Sequence, residues 1–123
     1  MTKPNISNRS QAGIDAPTLH AAQLFAQRIN DHYEGSKTIL FGSRARHSHH
    51  SESDADIAVL LRGEKAASLL DTKLAMADIA YEVLLDTGIL VQPLPLWEYD
   101  WQHPEHFSNP ALIQNIKREG IAI

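Results

Sequence analysis

Apolar residues recur along the chain in two rhythms. Leu19, Ala22, Phe25, Ala26 and Ile29 keep the three- and four-residue spacing of a helix with one buried face. Asp15 or Thr18 is placed to cap that helix, with Pro17 tolerated in its first turn. It is expected to end near Glu34, where Gly35 is a natural stop. The rhythm then shortens. "KTILFG" reads as a short buried strand, "SRARH" as one or two turns of helix and "HSHHSES" as loop. "DADIAVLL" reads as a second strand, apolar on both faces and therefore central in its sheet.

A long helix is expected from about Glu64 to Asp86, its apolar side supplied by Leu69, Leu70, Leu74, Ala77, Val83 and Leu84 and its end set by Gly88. "ILVQPLPL" reads as a third strand. Pro93 and Pro95 cannot donate ladder hydrogen bonds, so this strand is an edge or is broken. "WEYDWQHPEHFSNP" is an aromatic, irregular connector. "PALIQNIKREG" closes the chain as a helix, with Asn109 as N-cap, Pro110 in the first position and Gly120 as its end. This order predicts an α+β (mixed α/β) domain: a small mixed sheet of three to four strands flanked by helices, in two or three layers. Residues 1–15 read as a disordered polar lead-in and 16–123 as one domain.

Composition narrows this picture. A chain of 123 residues with 43% hydrophobic content suits one domain with a real core. The net charge of −4 gives no global attraction to nucleic acid or an anionic membrane. The lack of cysteine excludes disulfides and thiolate metal sites. No apolar run approaches membrane-spanning length, and "MTKPNISNRSQAG" has no apolar core of a secretory signal. A cytoplasmic protein is the expectation.

The candidate chemistry lies between the first two strands. Residues two apart on a strand share a face, so Asp54 and Asp56 project together with Cα atoms about 6–7 Å apart. Ala55 and Ile57 face the other way. Two carboxylates beside an apolar strand repel each other and are costly to desolvate. A divalent cation removes both problems, and oxygen-only donors suit Mg²⁺ or Mn²⁺ rather than zinc. Gly42, lacking a side chain, lets a ligand approach the backbone. Ser43 opens a short helix whose free N–H groups and hydroxyl face a phosphate, with Arg44 and Arg46 adding positive charge. A phosphate cradle opposite a metal site is the layout of phosphoryl or nucleotidyl transfer.

Other groups carry weaker signals. His47, His49 and His50 are a solvated loop, a transition-metal site, or a contact for nucleotide or acceptor, the first being the simplest reading. Trp97, Tyr99, Trp101 and Phe107 could stack a base or dock a partner, but core packing is expected for at least half of them. Met76 and Tyr81 read as core or its flank, and Asp78 and Glu82 as a solvated helix face. Lys117 and Arg118 suit a helix C-terminus.

"GSRARHSHHSESDAD" resembles the signature of the minimal nucleotidyltransferases, a branch of the DNA polymerase β-like superfamily: Gly-Ser, ten residues, then Asp-x-Asp, matched at Gly42, Ser43, Asp54 and Asp56. The order of elements from about Pro17 to Gly120 resembles that fold too. The resemblance implies transfer of a nucleoside monophosphate from a nucleoside triphosphate, ATP by default, to an acceptor hydroxyl. Gly42 and Ser43 would hold the triphosphate, and Asp54 and Asp56 would bind Mg²⁺ as the catalytic metal ligands. It also implies a partner. Stand-alone members of this size are commonly encoded beside a HEPN-domain protein, typically an RNase toxin; in such pairs the transferase acts as antitoxin and can adenylylate a toxin tyrosine, so a hetero-oligomer with the toxin is expected, with no nucleic acid or membrane contacted directly.

The resemblance is incomplete at one place. Many superfamily members carry a third carboxylate on a neighbouring strand, and the only polar side chain of "ILVQPLPL" is Gln92. A neutral amide is a poor Mg²⁺ ligand and no base. Glu98 and Asp100 could reach the site only if the connector folds back. Activity with two aspartates is the favoured expectation. The alternatives are an antitoxin that binds nucleotide and partner without much chemistry, and transfer to a small molecule, for which no second domain builds an acceptor pocket.

Overall fold

The computed structural model describes residues 10–63 and 69–123. A turn of 3-10 helix (Gln11–Gly13) leads into helix α1 (Ala16–His32). Strand β1 (Lys37–Phe41), the single-turn helix α2 (Ser43–Arg46) and strand β2 (Ala55–Leu61) follow. Helix α3 (Leu69–Thr87) leads to strand β3 (Val91–Trp97), then come the short helix α4 (Glu98–Gln102) and a 3-10 turn (Pro104–His106). Helix α5 (Pro110–Glu119) and a two-residue strand β4 (Ile121–Ala122) complete the chain. This is the mixed α+β fold expected.

The sheet runs β3-β2-β1-β4. β1 lies antiparallel to β2 and β4, and β2 lies parallel to β3, the two joined through α3. β2 is thus interior, as its two-sided apolar run requires. β3 is an edge. Pro93 and Pro95 are two apart, so both missing N–H groups point the same way, toward the open side. Along β2, Ala55, Ile57, Val59 and Leu61 pack under α1 and α3, with Phe25, Ile29, Met76 and Val83. Ala58 and Leu60 pack on the opposite face with Trp101, Ile113 and Ile116 of α4 and α5. The domain therefore has three layers.

Three expectations change. α1 ends at His32, two residues before Glu34. The lead-in falls partly outside the described residues, but from Ser10 onward it is ordered into the fold: Ile14 is buried in the core and Gln11 Nε2 donates to Ala122 O at 2.8 Å. The third concerns α3, whose expected start at Glu64 lies outside the described residues. Its buried side is Thr72, Met76, Ile79, Ala80 and Val83, while Leu70, Leu74 and Tyr81 are exposed. Sequence spacing gave both stripes a helical period, and only the sheet decided which one turned inward.

Strand β4 was not anticipated. Gly120, expected only to stop α5, turns the chain straight into the sheet edge, where Ile121 pairs with Leu40. A side chain there would press within 2.6 Å of Ile39 Cγ2 and collide with the Ile116 carbonyl, so glycine is demanded by close approach.

Candidate functional site

β1 and β2 are antiparallel, and their register sets Phe41 opposite Asp56. The chain leaving β1 therefore turns back directly over the start of β2. Gly42 makes that turn at φ +76°, and a Cβ there would collide with Asp56 Oδ2. Both facts select glycine. The amides of Ser43 and Arg44 precede the first hydrogen bond of α2, from Ala45 N–H to Gly42 O, so they are the kind that await an external acceptor.

Asp56 shares its face with Ala58 and Leu60, the α5 side of the sheet, and Asp54 lies on the same side just before the strand. Burial first, and the neighbouring Asp54 carboxylate second, push the Asp56 carboxyl above its ordinary value, against the pull of Arg46. Asp54, Asp56, Gly42 and Ser43 are thus brought together. Two half-buried carboxylates under mutual repulsion form an oxygen-only donor pair that a hard divalent cation would stabilise.

The two arginines part company. Arg44 is 3% exposed and donates to Thr18 Oγ1 (2.6 Å), Ser53 O (2.9 Å) and Ser51 O (3.2 Å). Its fork clamps the 47–53 loop against α1, so it is a brace for the site and not the phosphate contact expected of it. Thr18 passes the link on to the Asp15 carboxylate, which meets His49 Nε2 at 3.1 Å. Arg46 is exposed and does face the site: its guanidinium acts on Asp56 and pairs with Glu119 at 2.9 Å.

Glu119 is a residue that sequence reading missed. Its Oε1 accepts from Arg46 and, at 3.4 Å, from the Gly42 amide. The signal was available, since an acid in the last turn of a helix opposes the helix dipole and calls for a partner elsewhere.

Gln92 stands beside Asp56 in the β2/β3 register, where many superfamily members carry a third carboxylate on a neighbouring strand, and its Nε2 donates to Asp54 Oδ2 at 3.1 Å. Glu98 and Asp100 are too far away to replace it. The parallel register sets Trp97 opposite Leu61, about 17 Å along the strand from Gln92. Glu98 accepts there from the Gly63 amide, and Asp100 caps α4 by accepting from Trp97 N–H. The aromatic connector is consequently remote from the aspartates. Trp97 and Trp101 are buried and Phe107 packs on the core, leaving Tyr99 exposed.

Among the described residues, the histidine loop takes part in no group that could hold a metal. His49 is tied to Asp15, His47 sits in the left-handed region at φ 60°, and His50 is exposed. Among the described residues, one set of three His or acidic side chains converges: His103, Glu105 and His106, at the connector end of the sheet and away from Asp54 and Asp56.

With this frame in place, comparison with known proteins defines the class. The family described as polymerase beta, nucleotidyltransferase, matches residues 26–123, which include Gly42, Ser43, Asp54 and Asp56. The chain belongs to that family, and its domain is of the nucleotidyltransferase type. A crystal structure of a candidate nucleotidyltransferase from Sulfolobus solfataricus, at 1.40 Å, resembles it with 18% identity over 89% of this chain and 88% of that one, at a TM-score of 0.47. No curated protein matches. No described helix is long and apolar enough to cross a membrane.

Proposed function

We propose that the protein transfers AMP from ATP, with Mg²⁺ (or Mn²⁺) bound by Asp54 and Asp56, to a hydroxyl of a partner protein, a tyrosine of a HEPN-domain toxin, and so acts as its antitoxin in the cytoplasm. The observation that carries the chemistry is the opposition of Gly42 to Asp56 across the β1/β2 turn, with the Asp56 carboxyl raised from its ordinary value by burial and by Asp54. The donor set fits a hard cation: oxygen only, two carboxylates, mutually repelling until one is bound.

The metal, when bound, supplies Lewis-acid stabilisation of the charge on the transferring phosphoryl group. The chain's own residues do the rest. The Ser43 and Arg44 amides and the Ser43 hydroxyl hold the β- and γ-phosphate oxygens. Arg46, swung from Glu119, neutralises the leaving pyrophosphate. Gln92 keeps the Asp54 carboxylate in place through its amide hydrogen. The acceptor oxygen attacks the α-phosphorus as its bond to the bridging oxygen breaks, pyrophosphate leaves, and the acceptor proton passes to solvent, since no side chain of β3 can take it.

Incubation of the full chain with α-labelled ATP, Mg²⁺ and a HEPN-domain protein encoded beside it tests this reading. Label on the partner that disappears with Asp54→Ala is the expected result. Absence of label, or equal label with the variant, overturns it.

One observation favours a second reading. Gln92 sits at the position of a third carboxylate and ties up Asp54, which suits an antitoxin that binds nucleotide and neutralises its partner by contact. Protection of cells by the Asp54→Ala, Asp56→Ala double variant as fully as by wild type would select it. Transfer to a small molecule ranks below both.

A further inference from the structure

Helix α3 is apolar on the wrong side as well as the right one. Its inner face is spent on the core through Met76, Ile79, Ala80 and Val83. Its outer face carries Leu70, Leu74, Tyr81 and Leu85, which are 63, 57, 58 and 67% exposed. These are four of the five large hydrophobic residues exposed among the described residues, all on one helix. Leu70, Leu74, Ala77, Tyr81 and Leu85 follow one another at intervals of four, three, four and four, so they form a single straight stripe about 22 Å long. Scattered surface leucines need no explanation, but a contiguous stripe of this length marks an interaction site.

The charges beside the stripe are one-sided. Asp71, Asp78 and Glu82 lie along one flank, and Lys73 lies on the other. Asp86, further round, is engaged by Arg28 of α1 at 2.6 Å. A second copy of the chain is a poor occupant. Antiparallel pairing about a two-fold axis sets the acidic flank against itself, and parallel pairing offers, among the described residues of α3, Lys73 alone to answer Asp78 and Glu82.

We propose that the outer face of α3 docks an amphipathic helix of another protein, apolar along one stripe and bearing Lys or Arg beside it. Such a helix buries the leucines and Tyr81 and sets its cations against Asp78 and Glu82, in the helix-on-helix manner of coiled-coil partners. The face belongs to the α1/α3 layer, on the opposite side of the sheet from Asp56, so the proposal stands independently of the nucleotide chemistry.

Two hydrocarbon-stapled helical probe peptides of about 20 residues test it, long enough to match the stripe. They share one leucine seam and differ in flanking residues, Arg in one and Glu in the other. Each is titrated into isotope-labelled full chain at low salt, with amide shifts followed by NMR. The Arg-flanked peptide should bind about ten-fold more tightly, a difference that shrinks with salt, and should shift amides of residues 70–85. Leu74→Lys or Leu85→Lys should abolish its binding without altering the melting temperature, because both side chains are exposed. The Asp78→Lys, Glu82→Lys double variant should reverse the preference toward the Glu-flanked peptide. Equal binding of the two peptides, no binding of either, or shifts centred elsewhere overturns the proposal. A dimer of the free chain that Leu74→Lys dissociates also overturns it, by assigning the face to a second copy.

Discussion

Gln92 donates its side-chain amide to Asp54 at 3.1 Å from a position level with Asp56 on the neighbouring strand. The amide neutralises nothing, yet it holds one of the two carboxylates in place. Replacing it by a carboxylate sets three acids together. Gln92→Glu should therefore lower the metal-free melting temperature, bind Mg²⁺ more tightly, and raise any label transfer by about ten-fold or more, as a positioned base allows. Thermal melts with and without Mg²⁺, beside the transfer assay, check both halves. Unchanged metal response would mean that position 92 does not reach the cation.

Asp56 is kept at a cost to the empty fold, because burial and Asp54 both disfavour its charge. Asp56→Asn should raise the metal-free melting temperature by about 2–5 °C while erasing the stabilisation by Mg²⁺ and the transfer activity. A variant less stable than wild type without metal would show that Asp56 holds the turn together instead.

At Gly42, conformation and proximity act together. Gly42→Ala must hold a positive φ and push the Asp56 carboxyl aside, so it should cost about 1–3 kcal/mol in denaturant unfolding and abolish nucleotide binding measured by calorimetry.

Arg44 and Arg46 should separate cleanly. Arg44→Ala strands the Ser51 and Ser53 carbonyls and should destabilise the protein by about 2–4 kcal/mol, with Arg44→Lys a poor rescue because a lysine cannot fork. Arg46→Ala removes an ion pair that is open to solvent on the arginine side and should change stability by about 1 kcal/mol, less than Arg44→Ala, yet weaken triphosphate binding. Urea unfolding of the two variants in parallel shows the division.

The Asp15 carboxyl is raised by burial, but hydrogen bonds from Thr18 and the positive charges of His49 and Arg44 outweigh this and hold it below the ordinary 3.8. A depressed carboxyl stabilises the fold above its unfolded value, and that contribution is lost as pH falls through the folded value. Asp15→Asn should thus be less stable than wild type at neutral pH, and the gap should close as pH drops below 3.8. A gap that persists unchanged into acid would assign the loss to packing at the cap.

Much of the frame was legible because it rests on local rules. The caps at Asp15 and Asn109 satisfy helix amides three residues on, and both are used. The alternation that set Asp54 and Asp56 on one face is a property of any strand, and the edge position of β3 follows from two prolines. What failed depended on neighbours distant in sequence. Arg44 reads as a free cation until Thr18 and the loop carbonyls close around it. Glu119 reads as a helix-end acid until the closing helix brings it to Gly42, 77 residues away. Ile121 and Ala122 are too short a run to announce a strand.

By itself, then, the sequence determined the order of the longer helices and strands from α1 to α5, the pairing of the aspartates with the Gly-Ser turn, and the absence of a third acid on β3, because each is written in spacing and residue type within a few positions. Tertiary structure alone decided which stripe of α3 is buried, which arginine faces the site, and that Glu119 closes it. Those outcomes turn on which of several chemically suitable surfaces meets a partner from elsewhere in the chain, and a one-dimensional pattern does not carry that choice.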